Sequence, residues 1–371
     1  MAQSNLTLKG GAERVLLKIA EHYRAKIYTA EYEPADTFEG FKDLDVEVIG
    51  RKPGILPYGR AAQGLNYGLS FYNLTLKDDY DVINPHMAPS HWIRNHNERV
   101  LWYCHTPLRD IYDLYHYRLS LKKLHQKPVH IIGARVVRGM DQKVTKRIER
   151  IVANSYNTRS RIVKYYNRPD ATVLGGGVEY EKFRHGGDDK YFLYPSRISP
   201  NKRQDYAIRA FGAFKRQVKG YRLVLVGAVS KDRFYHNYYK NVAALARAVG
   251  DVEIITDADE KRLRGLYANC TAVLYTPMNE DYGLVPLEGM SSGKPIIGVR
   301  EGGIKETVED GETGLLVDSI DEMGNAMAEV AGNPKIAEAM GRKGRKRVVK
   351  RYSWARFFRE FDKILRSVKK G

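Results

Sequence analysis

Two glutamates, Glu280 and Glu288, bracket the run Glu280-Asp281-Tyr282-Gly283-Leu284-Val285-Pro286-Leu287-Glu288, which directly follows an apolar stretch ending near Thr276. A helix starting near Leu284 would carry Glu288 in its second turn and leave Glu280 in the loop before it. Both carboxylates could then meet one ligand at the helix N-terminus. Backbone N–H groups around Gly283, Leu284 and Val285 would be unpaired at such a start and, with the helix dipole behind them, suit a phosphate. Gly283 would let that ligand approach the backbone closely. The plainer alternative is a pair of solvated glutamates, the usual fate of charged residues beside loops.

Cations stand at a second place. Arg197 and Lys202 lie in Ser196-Arg197-Ile198-Ser199-Pro200-Asn201-Lys202, just after another apolar run. Arg could clamp a diphosphate through its forked donors and Lys as a point charge, against the simpler reading of two solvated cations at a strand end. His105 follows Arg99-Val100-Leu101-Trp102-Tyr103-Cys104, and His86 follows Asp81-Val82-Ile83-Asn84-Pro85. A lone histidine is more often structural than catalytic, but two at the ends of neighbouring strands suggest a polar cleft. Gly10 and Gly11 open a helical segment with room for a ligand at its start. No Walker loop, HExxH pair, nucleophile elbow or strict Gly-x-Gly-x-x-Gly fingerprint occurs.

The elements that would position these residues alternate. Short apolar, β-branched runs give way to helical periods, the pattern of βα units on a parallel sheet, and this happens twice. In the first half strands are expected at 26–30, 46–49, 81–84, 99–104, 151–153 and 172–174, with helices at 12–23 and 135–148. In the second half strands are expected at 191–195, 222–227, 252–255, 272–275, 295–299 and 314–317, with helices at 204–217, 234–249, 260–269, 285–292 and 303–309. Gly175-Gly176-Gly177 and Gly186-Gly187-Asp188-Asp189 form a glycine-rich passage between the halves. Two facing, doubly wound Rossmann-like domains follow, 1–178 and 179–350, with a terminal segment 351–371. Open α/β sheets bind ligands beyond the carboxyl ends of their strands, where the residues above cluster. One irregularity is the short polar start Met1 to Lys9, which leaves only a clipped first strand or a start lying upstream.

Charge excludes little until it is located. The 371 residues carry 62 Lys+Arg against 44 Asp+Glu, a formal +18. Arg118 to Arg168 holds 14 basic and 2 acidic residues, and Arg342 to Lys370 holds 13 and 2, so the rest of the chain sums to −5. Basicity therefore belongs to two local faces. Cys104 and Cys270 sit in separate apolar runs and argue against a disulfide framework or a cysteine metal site. The longest uncharged stretch, Ala61 to Leu76, is broken by Gln63, Asn66, Ser70 and Asn73, so it would not span a bilayer. With no apolar leader segment, a cytoplasmic chain is expected, free to touch a membrane surface from outside.

Taken in order, Gly10-Gly11-Ala12-Glu13-Arg14, His105-Thr106-Pro107, Asn154-Ser155, Arg197 to Lys202, Glu280 to Glu288, Ser292-Gly293-Lys294-Pro295, Gly302-Gly303 and Tyr352-Ser353-Trp354 resemble the retaining glycosyltransferases of family 4, which have the GT-B fold. Glu280-Asp281-Tyr282-Gly283 and His105-Thr106-Pro107-Leu108-Arg109 are most similar to mannosyltransferases of surface-glycan assembly. The resemblance implies a C-terminal helix crossing back to the first domain and a nucleotide-sugar donor, GDP-mannose favoured, with a lipid-linked or oligosaccharide acceptor. It implies that Glu288 holds the ribose hydroxyls, Glu280 contacts the donor sugar, Arg197 and Lys202 take the diphosphate, His105 sits beside the sugar and Gly11 lies near the diphosphate. Cations and helix-end amides would then do the work of a metal, and no cofactor is expected. The basic run Arg118 to Arg168 and the C-terminal segment would dock on anionic lipid. Two other readings are a sugar-nucleotide epimerase of the same architecture and a basic nucleic-acid-binding protein using Tyr165, Tyr166 and Tyr352 for stacking. The second leaves the paired glutamates unexplained, so nucleic acid is not the expected partner.

Overall fold

The computed structural model describes residues 1–50, 60–77, 79–120, 122–230 and 232–369. Leu121 in the basic run and Lys370 and Gly371 of the expected terminal segment lie outside them. The chain divides into two compact units, Met1–Gly176 with Phe358–Gly371, and Gly177–Phe357.

In the first unit, β1 (Ala2–Gln3), β2 (Ile27–Thr29) and β3 (Val46–Val48) form one parallel sheet, and β4 (Leu101–Cys104), β5 (Arg150–Ala153) and β6 (Thr172–Val173) form another. The expected strand at 81–84 forms only single bridges, Ile83 to Val100 and Pro85 to Ala2. Those bridges matter, because the 83–86 backbone bonds to Ala2 on one side and to Arg99, Leu101 and Tyr103 on the other. The strand order therefore runs β3, β2, β1, the 83–86 segment, β4, β5, β6, and the two histidine-bearing strand ends are neighbours. The first strand is short, as the polar start anticipates, yet Ala2 pairs with Tyr28 and Gln3 with Thr29.

The core of this unit is aromatic. Trp92, Trp102 and Phe71 are essentially inaccessible, and burying a side chain of this kind contributes on the order of 2–3 kcal/mol before entropy. The helix Trp354–Lys369 closes it from Phe358 onward: Phe361 is fully buried, Phe358 stacks on His22 at 3.7 Å, and Tyr23 donates to Asp362 Oδ1 at 2.7 Å.

The second unit is one six-stranded parallel sheet of β7 (Tyr191–Pro195), β8 (Arg222–Val226), β9 (Val252–Ile255), β10 (Ala272–Tyr275), β11 (Ile296–Val299) and β12 (Gly314–Val317). Its order, β12-β11-β10-β7-β8-β9, switches direction between β7 and β10. Loops leaving those two neighbours diverge to opposite faces and open a crevice, which is where an open α/β sheet binds ligands. The helices Gln204–Lys215 and Ile320–Gly332 cover one face through Phe211, Phe214, Met323 and Met327. On the other lies the helix Leu284–Ser291, seated so closely that a Cβ on Gly289 would meet Ile296 Cδ1 at 2.7 Å and Val273 Cγ2 at 2.9 Å. Among the described residues, no helix is long and apolar enough to cross a membrane.

Candidate functional site

At the switch point of the second unit, the loop after β7 delivers Arg197 and Lys202. Gln204, fully buried, holds this loop by donating to Ser196 Oγ and Arg197 O, both at 2.9 Å. Thr276 Oγ1 donates to the carbonyls of Lys202 (3.0 Å) and Arg203 (2.9 Å), and Tyr194 donates to that of Lys202 as well. The Lys202 backbone is thereby fixed against the end of β10. Its ammonium forms an ion pair with Glu280 Oε2. Arg197 is exposed, and its guanidinium makes no hydrogen bond or ion pair among the described residues.

The loop after β10 is held from beneath by Gly302 and Gly303. Gly303 N donates to Glu280 O at 2.8 Å, and a Cβ on Gly303 would lie 2.9 Å from the Tyr282 backbone. Asn279 N donates to Glu301 Oε2 at 3.2 Å, while Arg203, which donates to Thr276 O at 2.6 Å, pairs with Glu301 Oε1 at 3.0 Å. Gly283 then turns into the helix with φ +83, a conformation glycine adopts freely, and no side chain caps the helix start. Tyr275 Oη lies directly under Gly283, so any Cβ there would run into it. That hydroxyl is buried and has no hydrogen-bond partner among the described residues, and burial, with the charges of Glu280 and Asp281 nearby, pushes its ionisation far upward. Leu284 and Val285 form the partly exposed first turn, and Glu288 one turn on is buried and accepts a 2.6 Å hydrogen bond from Tyr267 Oη. Glu280 in the loop and Glu288 in the second turn thus precede and follow an uncapped helix N-terminus, with Lys202 ion-paired to Glu280.

In the first unit, Gly11 begins the helix Gly11–Tyr23 and is exposed. Glu13, buried in the first turn, lies against Gly10 and accepts from Gln3 Nε2 at 3.2 Å. His105 and His86 are brought together, with His86 Nδ1 2.9 Å from His105 Nε2 and His86 Nε2 3.0 Å from Asn84 Oδ1. Both rings are buried. Burial lowers His105 to about 3, and burial with the neighbouring ring holds His86 well below the ordinary histidine range, so both are neutral near pH 7.

Residue spacing missed Tyr267 and Glu301, which reach the site from other elements, and Tyr275 and Arg203, which adjoin the residues it singled out. Asn84 was legible in principle: positions i and i+2 of an extended segment share a face, which places Asn84 beside His86. Lys294, in the Ser292-Gly293-Lys294-Pro295 run, is buried and donates to Gly187 O at 2.7 Å, anchoring the glycine-rich passage.

Two parallel sheets of Rossmann-like order, the second ending in this helix start with its flanking carboxylates and cations, define the GT-B glycosyltransferase fold. The family model described as Glycosyltransferase Family 4 matches residues 9–182, the one described as Glycosyl transferases group 1 matches 178–347, and the chain belongs to this glycosyltransferase family. It is 26% identical to the Alpha-1,3/1,6-mannosyltransferase ALG2 of Dictyostelium discoideum over 97% of this chain and 96% of the relative. It is 27% identical to ALG2 of Mus musculus over 93% and 90%. Among solved structures it is similar to Anabaena HepE in complex with UDP and glucose, with TM-score 0.76, 18% identity and coverage of 99% and 98%. It is also similar to a sucrose-phosphate synthase from Thermosynechococcus elongatus, with TM-score 0.78, 17% identity and coverage of 99% of each chain.

Proposed function

We propose that this glycosyltransferase moves mannose from GDP-mannose to a lipid-linked or oligosaccharide acceptor, with retention at the anomeric carbon and without a metal ion. The observation that carries the reading is the uncapped start of Leu284–Ser291, set between Glu280 and Glu288 with Lys202 ion-paired to Glu280. The mannosyltransferase names of relatives aligned over at least nine-tenths of both chains supply the sugar.

In this reading Glu288 accepts from the ribose hydroxyls, its second oxygen positioned by Tyr267. Helix-end N–H groups at Gly283, Leu284 and Val285, with Arg197 and Lys202, neutralise the diphosphate. Glu280 accepts from sugar hydroxyls while holding Lys202 at the sugar–phosphate junction. On the first unit, His105 is read beside the sugar and Gly11 near the diphosphate. The bond from the anomeric carbon to the phosphate oxygen breaks, the acceptor oxygen bonds on the same face, and the acceptor's proton passes to the departing phosphate. Charge growing on that phosphate is what the cations stabilise.

A cytoplasmic enzyme resting on an anionic membrane surface fits the first unit. The helix Lys127–Arg147 leaves Val129, Ile132 and Val136 exposed at 75%, 65% and 57%, one helical stripe continued by Lys143 and flanked by Arg135. An apolar stripe bordered by cations suits an interfacial helix. The test of the reaction is product analysis: GDP-mannose with an acceptor should yield GDP and an α-mannoside, whereas a rearranged donor formed without any acceptor would point to an epimerase.

A further inference from the structure

The hydrogen bonds around His105 run in one direction only. Asn84 Nδ2 donates to Leu101 O at 2.6 Å, which fixes the amide, since the reverse orientation would set two carbonyl oxygens against each other. Asn84 Oδ1 therefore faces His86 Nε2 and can only accept, so His86 carries its hydrogen on Nε2. His86 Nδ1 is then a bare lone pair, and the 2.9 Å contact with His105 closes as a hydrogen bond only when His105 Nε2 donates. The hydrogen of neutral His105 is thereby committed inward, and its Nδ1 is left as an acceptor with no partner among the described residues.

The frame is rigid at both ends. Trp102 Nε1 donates to His86 O at 2.9 Å, Asn154 Nδ2 donates to His105 O at 3.1 Å, and the His86 ring stacks on Tyr103. The low proton affinity of both buried rings keeps the relay from being reset by a second proton near neutral pH.

We propose that Asn84 and His86 are positioning residues that lock His105 as the Nε2–H tautomer, so that it offers substrate an acceptor and no donor, and selects a sugar hydroxyl over a phosphate oxygen. The selectivity rests on the reading that His105 faces the donor sugar; the locked tautomer does not. A site that accepts from a hydroxyl discriminates against an analogue lacking it, because the acceptor is left unpaired.

The test is two-bond 1H–15N correlation spectroscopy on the full chain labelled at histidine nitrogens, at pH 7.5. Both His86 and His105, assigned by their single substitution to Gln, should show the Nε2–H pattern alone. In His86→Phe, which takes away the acceptor, His105 should split into two tautomers. A wild-type His105 protonated on Nδ1, or on both nitrogens, overturns the lock without recourse to a variant. GDP-mannose and GDP are then added, each at a concentration that saturates its thermal shift. GDP-mannose alone should move the His105 Nδ1 resonance in the direction of an accepted hydrogen bond. An equal response to GDP overturns the selectivity, whereas a thermal shift from neither nucleotide fails the donor reading and leaves the lock judged by the tautomer pattern.

Discussion

Lys202 and Glu280, which reach the site on separate loops after β7 and β10, are ion-paired to each other in the free protein. The pair is partly buried, with side chains 17% and 26% exposed, so it is more than a surface ion pair held loosely in solvent. It also splits the two cations by duty. Lys202 is positioned and partly neutralised by Glu280, while exposed Arg197 retains its full charge for an incoming anion.

Removing both cations should therefore cost more than removing either alone. Arg197→Ala with Lys202→Ala is expected to lower kcat by roughly 10² or more, through lost stabilisation of the departing diphosphate. Lys202→Ala and Glu280→Gln should be non-additive, the double variant losing less than the two single losses multiplied, because each single change strands the other's charge. Steady-state kinetics on Arg197→Ala, Lys202→Ala, Glu280→Gln and the two double variants, against wild type, checks both statements, and independent effects of Lys202→Ala and Glu280→Gln would mean that the pair is incidental.

The turn into the helix gives a stability prediction that needs no substrate. Gly283→Ala places a side chain at φ +83 over Tyr275 and should destabilise the protein by about 1–3 kcal/mol. Tyr275→Phe removes a buried hydroxyl without a partner and should be neutral or stabilising. In combination it should recover part of the Gly283→Ala loss, the steric part and not the backbone part. Denaturant midpoints of the three variants decide this, and full recovery or none would contradict the geometry.

Acid sensitivity follows from the two histidines. Their folded-state proton affinities are depressed while the unfolded chain takes up protons near pH 6.5, so below that pH the unfolded state binds more protons and stability falls. Each ring contributes a slope of up to about 1.4 kcal/mol per pH unit, and for His105 the loss continues toward about pH 3. His105→Gln should flatten the urea-midpoint profile between pH 6.5 and 5 by about one proton's worth. An unchanged slope would show that the ring is accessible to protons in the folded state.

For the membrane surface, wild-type protein should co-float with vesicles rich in anionic lipid at low salt and release as salt rises, each nearby cation adding about 1 kcal/mol. Ile132→Glu, at a 65% exposed position, should weaken flotation without lowering Tm. Equal flotation with neutral vesicles, or none with anionic ones, would remove the charged stripe from the account.

Both sheets were legible in the sequence because buried parallel strands are short, continuous apolar runs whose ends coincide with the glycines and polar residues of the site. The boundaries that failed have local causes. The 81–84 strand was expected four residues long, but its ladder reduces to bridges at Ile83 and Pro85. The helix expected at 135–148 begins at Lys127, since Val129 to Val136 present apolar residues to solvent and give no buried stripe to read. The helix expected at 303–309 spans only Ile304–Thr307. Pro334–Arg351 passed unseen because it packs through glycines: a Cβ on Gly344 would meet Met290 Cγ at 2.8 Å, and Gly341 abuts the Gly293 carbonyl. Close approach of that kind leaves no hydrophobic period. Nor is the basic run one uniform face, because Arg138, Arg159 and Arg168 donate to backbone carbonyls of Ile111, Ala171 and Thr145. Side-chain direction, which decides whether a cation holds the fold or waits for a ligand, does not appear in composition.

The most direct test of the central claim is the thermal shift of the wild-type chain against GDP-mannose, UDP-glucose, ADP-glucose and the free nucleotides. A ligand at 100 times its Kd adds about 2.7 kcal/mol to stability, enough to move Tm by several degrees. The largest shift is expected with GDP-mannose, exceeding that of GDP because the sugar gains Glu280. A Tm unmoved by every nucleotide sugar, or raised by a UDP or ADP donor and not by GDP-mannose, would contradict it.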